Sequence, residues 1–335
     1  MKLHDVMMAA AVSAAVATPA FAVELEKPAF YGYLSAGALK IEGADAEVDA
    51  FEIELGLQGK AFLSEGLNLN YKVEVDLADA ANNADKDPGP GRGRDGEGDI
   101  HVKEAVFWLP TKYGMFVVAP RGTSGQWRDI YGSINHYEYN EPHEALNPDG
   151  IFAQPDRTSG TIAYHTPWIM RTKLVAAAIT LREYNEQDAD GKSVRLVHVN
   201  GGLKMAIGTT LIAQEQVPTN DDYLISAAGV SYKKGGLTLG AVWENNQDSP
   251  YRLNSGTFTT ADFDSYGVSA YYVADSGAGA ALGYKEKNHD FDAADESVYT
   301  LKVEQRITPQ VKVWVETGQY EELPSNYAVG LNVTF

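Results

Sequence analysis

The stretch LNLNYKVEVDL, residues 67–77, alternates strictly between two kinds of side chain. Its odd positions hold Leu, Tyr or Val, and its even positions hold Asn, Lys, Glu or Asp. A two-residue period places each set on one face of a β-strand, whereas an amphipathic helix repeats every 3.6 residues. The stretch therefore predicts a strand with one apolar face and one polar face.

The same alternation recurs along most of the chain. Further examples are FEIELGLQGK from Phe51, MAIGTTLIAQ from Met205, DYLISAAGVSYK from Asp222, SVYTLKVEQR from Ser297, VKVWVETG from Val311 and the final YAVGLNVTF from Tyr327. Short turn signals such as Asn200-Gly201-Gly202 alternate with longer polar connections, and a further turn is expected near Asp45. These boundaries indicate about sixteen strands, the first over residues 30–40 and the last ending at Phe335.

An even number of strands allows the first and last to pair antiparallel and to close a cylinder. A cylinder of this many strands is too wide for side chains to fill, so its lumen must hold water and its apolar face must look outward. Lipid would cover that face, because spanning strands need only about 9–11 residues and closure pairs every backbone N–H. We therefore predict an all-β fold, a closed antiparallel transmembrane barrel with short turns at one end and long loops at the other.

Composition excludes several classes of protein. Residues 6–22 form an apolar stretch ending in Ala20-Phe21-Ala22, so we expect residues 1–22 to be a signal peptide and residues 23–335 to form one barrel domain. The chain has no cysteine, which excludes disulfides and thiolate metal sites. Its formal net charge of −19 argues against a nucleic-acid partner. We expect no cofactor, no metal site and no catalytic residue.

Six segments follow one another in a characteristic order along the chain. They are FYGYLSAG from Phe30, ELGLQGKAFLSEGL from Glu54, KEAVFWL from Lys103, YGMFVVAPR ending at Arg121, DRTSGTIAYHTP ending at Pro167, and the aromatic C-terminal strand. Their order and spacing resemble the general diffusion porins of Gram-negative outer membranes, a family of sixteen-stranded trimers. The resemblance covers nearly the whole mature chain, and it departs from the family at Trp108 and Pro120, where glycine is usual.

The resemblance implies an outer-membrane location and several partners. These are the lipid bilayer, lipopolysaccharide, two further copies of the chain in a homotrimer, and the barrel assembly machinery, which would read Phe335. Six aromatic residues lie in the early strands, where the family packs its protomers, although some of them could be membrane-interface residues instead. They are Tyr31, Tyr33, Phe107, Trp108, Tyr113 and Phe116.

The long, aromatic-rich connection between Arg121 and Arg157 is the candidate functional segment. The resemblance implies that this third external loop folds into the barrel and narrows the pore, with acids on the loop opposite basic groups on the wall. The candidate loop residues are Trp127, Arg128, Asp129, Glu138, Glu141 and Glu144, and the candidate wall residues are Tyr33, Glu54, Lys72, Lys103, Arg121 and Arg157. Tyr33 and Glu54 stand where the family usually has a basic residue.

These features predict a passive channel for small hydrophilic solutes and ions. An excess of carboxylates in the lumen would favour cations, unless most of the acids lie in exposed loops where salt screens them. One alternative is a substrate-specific channel for sugars or aromatic acids, with a stacking surface formed by Trp127, Tyr131, Tyr137 and Tyr139. Another is a barrel enzyme that uses a histidine, although no catalytic string surrounds His101, His136, His143, His165, His198 or His289.

Overall fold

The computed structural model describes residues 24–82, 100–142, 150–180, 190–213, 222–252, 258–290 and 295–335. The predicted signal peptide, Glu144 and His143 lie outside the described residues. The strands are β1 Glu24–Leu25, β2 Ala29–Ile41, β3 Glu47–Ser64, β4 Leu67–Asp76, β5 His101–Thr111, β6 Gly114–Arg121, β7 Thr161–His165, β8 Thr172–Ile179, β9 Gly191–Asn200, β10 Leu203–Ile212, β11 Tyr223–Lys234, β12 Leu237–Arg252, β13 Phe258–Val273, β14 Ala278–His289, β15 Glu296–Arg306, β16 Val311–Tyr320 and β17 Asn326–Thr334.

The described residues contain two short helices, α1 Ala78–Ala81 and α2 Gly125–Ile130. Neither has the length and apolar character that a membrane-crossing helix requires. Both lie in connections between strands, at positions where no alternating pattern is present in the sequence.

The sheet closes on itself. Each strand from β2 to β17 pairs antiparallel with the next along the chain, and β17 then pairs with β2, placing Gly330 opposite Gly37. At the end of this seam, the Phe335 N–H donates to the Gly32 carbonyl at 3.1 Å, and the Gly32 N–H donates to the Phe335 carbonyl at 2.9 Å. Closure removes the exposed sheet edges. The predicted closed barrel of sixteen strands is confirmed, with the two-residue β1 added beside β3.

The two faces of the barrel differ as the alternation predicts. In β15, Tyr299, Leu301 and Val303 are 45 to 60% exposed, whereas the intervening Thr300 and Lys302 are at most 3% exposed. Successive side chains of a strand point to opposite faces, so the apolar set looks outward and the polar set looks into the cylinder. The same division holds in β16, where Val315 is 57% exposed and Glu316 is 1% exposed.

Seven short turns lie at one end of the barrel, which we call the turn end. They comprise residues 65–66, 112–113, 166–171, 201–202, 235–236, 274–277 and 307–310, in agreement with the sequence signals. The predicted turn near Asp45 lies at the other end, because it joins β2 to β3 and consecutive strands run in opposite directions. That other end, the loop end, also carries the connection between β6 and β7.

Candidate pore constriction

The β6–β7 connection spans residues 122–160, and its described parts, residues 122–142 and 150–160, pack on the inner face of the barrel. Its apolar side chains form one cluster with wall residues of β9 to β12 and β15, and Trp127 stacks on Tyr131 with ring centroids 4.6 Å apart. The members from the connection are Trp127, Ile130, Tyr131, Ile134, Ile151 and Phe152, and those from the wall are Val197, Ala206, Ala227, Val242 and Val298. Burial of these side chains stabilises the packing through the hydrophobic effect.

Glycines on the wall let the backbone of the connection approach closely. A Cβ added to Gly229 would lie 2.1 Å from the Ile130 carbonyl oxygen, and one added to Gly240 would lie 2.4 Å from the Ser133 carbonyl oxygen. Glycine inside a strand often marks such a close approach of another backbone. The connection therefore lies flush against β11 and β12.

Buried carboxylates on the wall accept hydrogen bonds from the connection. Glu316 accepts from the backbone N–H groups of Glu138 at 2.8 Å and Asn140 at 2.6 Å. Glu244 accepts from the Tyr131 hydroxyl and from the Ala153 N–H, the latter at 2.8 Å. Both side chains are 1% exposed or less, so these hydrogen bonds replace the bonds to water that the oxygens lose on burial.

Asp129 lies at the centre of a basic group on the wall. One carboxylate oxygen is 2.9 Å from the Arg195 Nε and 3.6 Å from the Lys173 Nζ, and the other is 3.2 Å from the Lys204 Nζ. Burial by itself would raise the pKa of Asp129. The three neighbouring cations outweigh burial and hold that pKa below its usual value.

Glu138 forms a second ion-pair group. Its carboxylate accepts from the Lys302 Nζ at 2.7 Å, the Lys312 Nζ at 2.6 Å and the Tyr33 hydroxyl at 2.6 Å. Burial opposes ionisation, but the two ammonium groups prevail and lower the pKa of Glu138 to about 2. The predicted wall residue Tyr33 thus contacts the predicted loop acid directly.

A third group lies on β3 to β5. Lys72 is 2.7 Å from Glu104, Lys103 contacts both Glu52 and Glu54, and the Arg157 Nη2 is 3.4 Å from Glu74. The pairing of β4 with β5 shifts register so that Lys103 has no partner residue, which marks a β-bulge. As a result, the consecutive residues Lys103 and Glu104 both reach interior ion pairs.

The three groups separate charge around the wall. The β3 to β5 group joins five carboxylates to three basic groups once Asp156 is included, whereas the Asp129 group joins one carboxylate to three basic groups. The Glu138 group balances two carboxylates, Glu138 and Glu304, against two lysines. The wall at β3 to β5 is therefore acidic, whereas the wall at β8 to β10 is basic. Loop acids lie opposite basic wall groups at Asp129 and at Glu138, which is the arrangement that the resemblance implies, but the wall at β3 to β5 departs from it.

The remaining predicted site residues take varied positions. Trp127 is 5% exposed, so it belongs to the packing of the connection and does not line the passage. Glu141 accepts from the Asn135 amide at 3.4 Å. Arg121 is exposed at the end of β6, where its Nε donates to the Val102 carbonyl at 3.0 Å. Arg157 lies in the connection itself, although its guanidinium reaches the wall.

Two groups of aromatic residues differ from expectation. Tyr131 and Tyr137 are at most 4% exposed, so together with Trp127 they offer no open stacking surface to a solute. Of the six early aromatic residues, Phe107 and Phe116 point outward, but Trp108 shares the inner face with Val106. Tyr31 and Tyr33 also point inward, towards Glu74 and Glu138. The inward rings cannot contact a neighbouring protomer, because the pleat turns them to the other face.

Sequence reasoning missed most of the basic groups of the site. Those groups are Lys173, Arg195, Lys204, Lys302 and Lys312, and the missed buried acceptors are Glu244 and Glu316. Each occupies the polar face of an alternating strand, and this position is the feature of the sequence that could have identified it as a residue facing the lumen. Their partners lie far away along the chain, so the alternation could not pair them.

Comparison with known proteins agrees with this architecture. The family model for Gram-negative porins matches residues 9–323. The chain superimposes on OmpF of Salmonella typhi in complex with daunomycin with a TM-score of 0.74 at 15% identity, covering 92% of this chain and 98% of that one. An anion-selective porin from Comamonas acidovorans gives a TM-score of 0.68 at 13% identity, with 92% and 99% covered.

A third solved structure, the trimer form of in-vitro folded OmpT, an outer membrane protein of Vibrio cholerae, gives a TM-score of 0.65 at 16% identity, with 92% and 99% covered. No curated protein matches the sequence. The closed barrel, its polar interior and the family match lead to one conclusion: this chain belongs to the Gram-negative porin family and forms a channel for solute diffusion in the bacterial outer membrane.

Proposed function

We propose that the channel passes small hydrophilic solutes and ions by passive diffusion, without a dedicated substrate and without enzymatic activity. The observation that carries this proposal is the packing of the β6–β7 connection, which Glu244 and Glu316 hold against the inner wall by hydrogen bonds. A fixed connection narrows the lumen by a constant amount, and a sixteen-stranded cylinder is too wide for side chains to fill.

Planar-bilayer recording tests this proposal. Purified protein should insert as steps of constant conductance, and the conductance should rise in proportion to KCl concentration, because no site in a general pore becomes saturated. Conductance that saturates with KCl, or no conductance at all, would contradict a general diffusion pore. Lipase and protease assays of the same preparation should give no turnover.

We propose a cation preference for this pore. Its support is the net charge of −19 and the acidic group on β3 to β5, in which Glu54 and Glu74 face the lumen beside Arg157. The basic group around Asp129 acts in the opposite direction, so the preference should be weak. A reversal potential under a KCl gradient measures it, and a sign that favours chloride would refute the proposal.

We also propose a homotrimer in contact with lipid and lipopolysaccharide, assembled by machinery that reads Phe335. Outward rings such as Phe107 and Phe116 supply an apolar surface for protomers or lipid, and the trimer form of OmpT of Vibrio cholerae offers a precedent. Light scattering of the detergent-solubilised protein should give the mass of three chains. A monomeric mass would contradict the trimer.

A further inference from the structure

An apolar patch lies on the inner wall of the barrel, where water should fill the lumen. It joins the facing side chains of Val106, Val117, Ala119 and Ala163 on β5 to β7, with Trp108 packed against them. Met115 and Ala177 extend the same patch. The side chains of Val106, Val117, Ala119 and Ala163 are at most 7% exposed, and a predominantly apolar lining is typical of pockets that hold small organic ligands.

The patch forms the floor of a cavity of about 380 Å³ beneath the start of α2. Strands β4 to β9 supply its wall, and residues 123–126 together with Arg128 supply its roof. Because the wall residues point to the inside of the cylinder, the cavity opens on the lumen. Its volume lies in the range of pockets that hold small organic ligands, roughly 300 to 1,000 Å³.

The rim of the cavity is positively charged. Arg128 is exposed, and within the described parts of the chain its guanidinium has no hydrogen-bond or ion-pair partner. Arg195 also lines the cavity and offers further N–H donors, because only its Nε bonds Asp129. The single carboxylate on the lining, Glu104, is already paired with Lys72 at 2.7 Å. The charge left for a ligand to neutralise is therefore positive.

The roof is held in place by bonds to the wall. The Gln126 side chain donates to Thr210 at 2.8 Å and accepts from Ser193 at 2.7 Å. The next turn is held by Asp129, and the Arg128 carbonyl accepts from Lys204 at 2.9 Å. These contacts fix the backbone of α2 while they leave the Arg128 guanidinium available, as a preformed binding site requires.

From this arrangement we infer that the cavity binds small amphiphilic anions, with an aromatic or branched aliphatic body on the Trp108 patch and a carboxylate at Arg128. A guanidinium presents parallel N–H donors that match a carboxylate, and the indole face accepts an apolar ring. A neutral aromatic compound would lack the ionic contact, and an aromatic cation would be repelled. The inference rests on the proposed channel function, since a ligand reaches the cavity through the lumen.

Calorimetric titration of the detergent-solubilised protein with sodium benzoate tests the inference. We expect saturable binding of benzoate, at least tenfold weaker binding of acetate, and none of benzylammonium. Arg128→Gln should weaken benzoate binding about tenfold or more, as expected for loss of a charged hydrogen-bond partner. Arg128 is exposed, so this change should leave the fold intact. Trp108→Gly, which removes the indole ring from the floor of the cavity, should weaken benzoate binding by a similar factor.

Two matched variants serve as controls. Phe107→Ala removes an aromatic ring from the outer face of the same strand, and Lys234→Gln removes one positive charge from an exposed position at the turn end. Neither should change benzoate affinity. Equal affinities of the wild type, Arg128→Gln and Trp108→Gly, or no benzoate binding by the wild type, would overturn the inference.

Bilayer recording of the same proteins separates this inference from the proposed function. Benzoate should interrupt the KCl current of the wild type more often than that of Arg128→Gln. Normal conductance with no benzoate binding would overturn the binding site and leave the channel standing. Benzoate binding that depends on Arg128, without any conductance, would support the site and overturn the channel.

Discussion

Asn140 and Glu316 lie 176 positions apart in the chain, and the Asn140 backbone N–H donates to the Glu316 carboxylate at 2.6 Å. The Asn140 side-chain amide donates to the same oxygen at 2.8 Å. One wall carboxylate therefore satisfies a backbone group and a side chain in the middle of the β6–β7 connection. This contact links the width of the pore to a single residue of β16.

Replacing Glu316 with glutamine should loosen the connection. The amide keeps one acceptor oxygen, but it loses the charge and turns an NH₂ group towards other donors, at a cost of about 1–3 kcal/mol. We expect a noisier single-channel current, with fluctuations in conductance that are rare in the wild type. Glu322→Gln removes the same charge from an exposed turn and should leave the current quiet. A quiet current in Glu316→Gln would show that the contact does not hold the connection.

The glycine at position 229 should not tolerate a side chain. An alanine Cβ would lie 2.1 Å from the Ile130 carbonyl oxygen, a backbone atom that cannot rotate away, so the connection must shift. Overpacking of this kind costs about 1–3 kcal/mol. We expect Gly229→Ala to change the single-channel conductance and to lower the temperature at which the barrel unfolds. Ala228→Val, which adds bulk to the outer face of the same strand, should alter neither by a comparable amount.

Removal of the Asp129 carboxylate should shift ion selectivity towards anions. In Asp129→Asn, the nearby Arg195, Lys173 and Lys204 lose their counter-charge, and the lumen gains one unit of positive charge. The reversal potential under a KCl gradient should move towards the chloride value. Glu47→Gln, which removes a charge from an exposed position at the loop end, should shift it less. Equal shifts of the reversal potential in the two variants would mean that the Asp129 group does not control the ion selectivity of the lumen.

Acid should weaken the packing of the connection through Glu138. Its pKa in the folded protein is about 2, whereas an ordinary glutamate has a pKa near 4.3. The stabilisation by the ionised form is therefore complete above the ordinary value and is lost as the pH falls through about 2. We expect current noise to rise over this interval. The Glu138→Gln variant should give a noisy current already at neutral pH, and its noise should change little as the pH falls through the acid interval.

His136 should add a second acid-sensitive interval. Burial, together with the Lys302 ammonium, lowers the pKa of His136 to about 4, so the packed connection contains the neutral imidazole. Below the ordinary histidine pKa, near 6.5, the released connection binds more protons than the packed one, and packing weakens as the pH falls to about 4. In His136→Gln, the single-channel current noise should no longer depend on pH between about 6.5 and about 4, while its dependence below that interval should remain. If the noise of His136→Gln still rises between these values, another group is responsible for the rise.

Local sequence was sufficient to predict the barrel. The alternation in residues 67–77 depends only on the two-residue period of an extended backbone, and so does the outward position of Val315 beside the inward Glu316. The turn signals, such as Asn200-Gly201-Gly202, are equally local, since they depend on the backbone freedom of glycine. The wall candidates Glu54, Lys72 and Lys103 take part in ion pairs of the inner wall, and the hydroxyl of the wall candidate Tyr33 donates to Glu138.

Alternation could not predict how the connection meets the wall. Trp127 is a candidate loop residue, but the alternation does not indicate that its ring is buried, because the connection turns that face towards the apolar cluster on the wall. The bulge at Lys103 shifts the register of one strand, and a two-residue period does not reveal where such a shift occurs.

The sequence by itself therefore determined a closed sixteen-stranded barrel with an apolar outside, because strand period and turn chemistry act between near neighbours. Only the tertiary structure decided that three basic groups surround Asp129, that Trp108 faces the lumen, and that the wall is acidic on one side and basic on another. Those relationships depend on which distant strands closure brings together and on the path of one long connection across them, and both are properties of the whole cylinder.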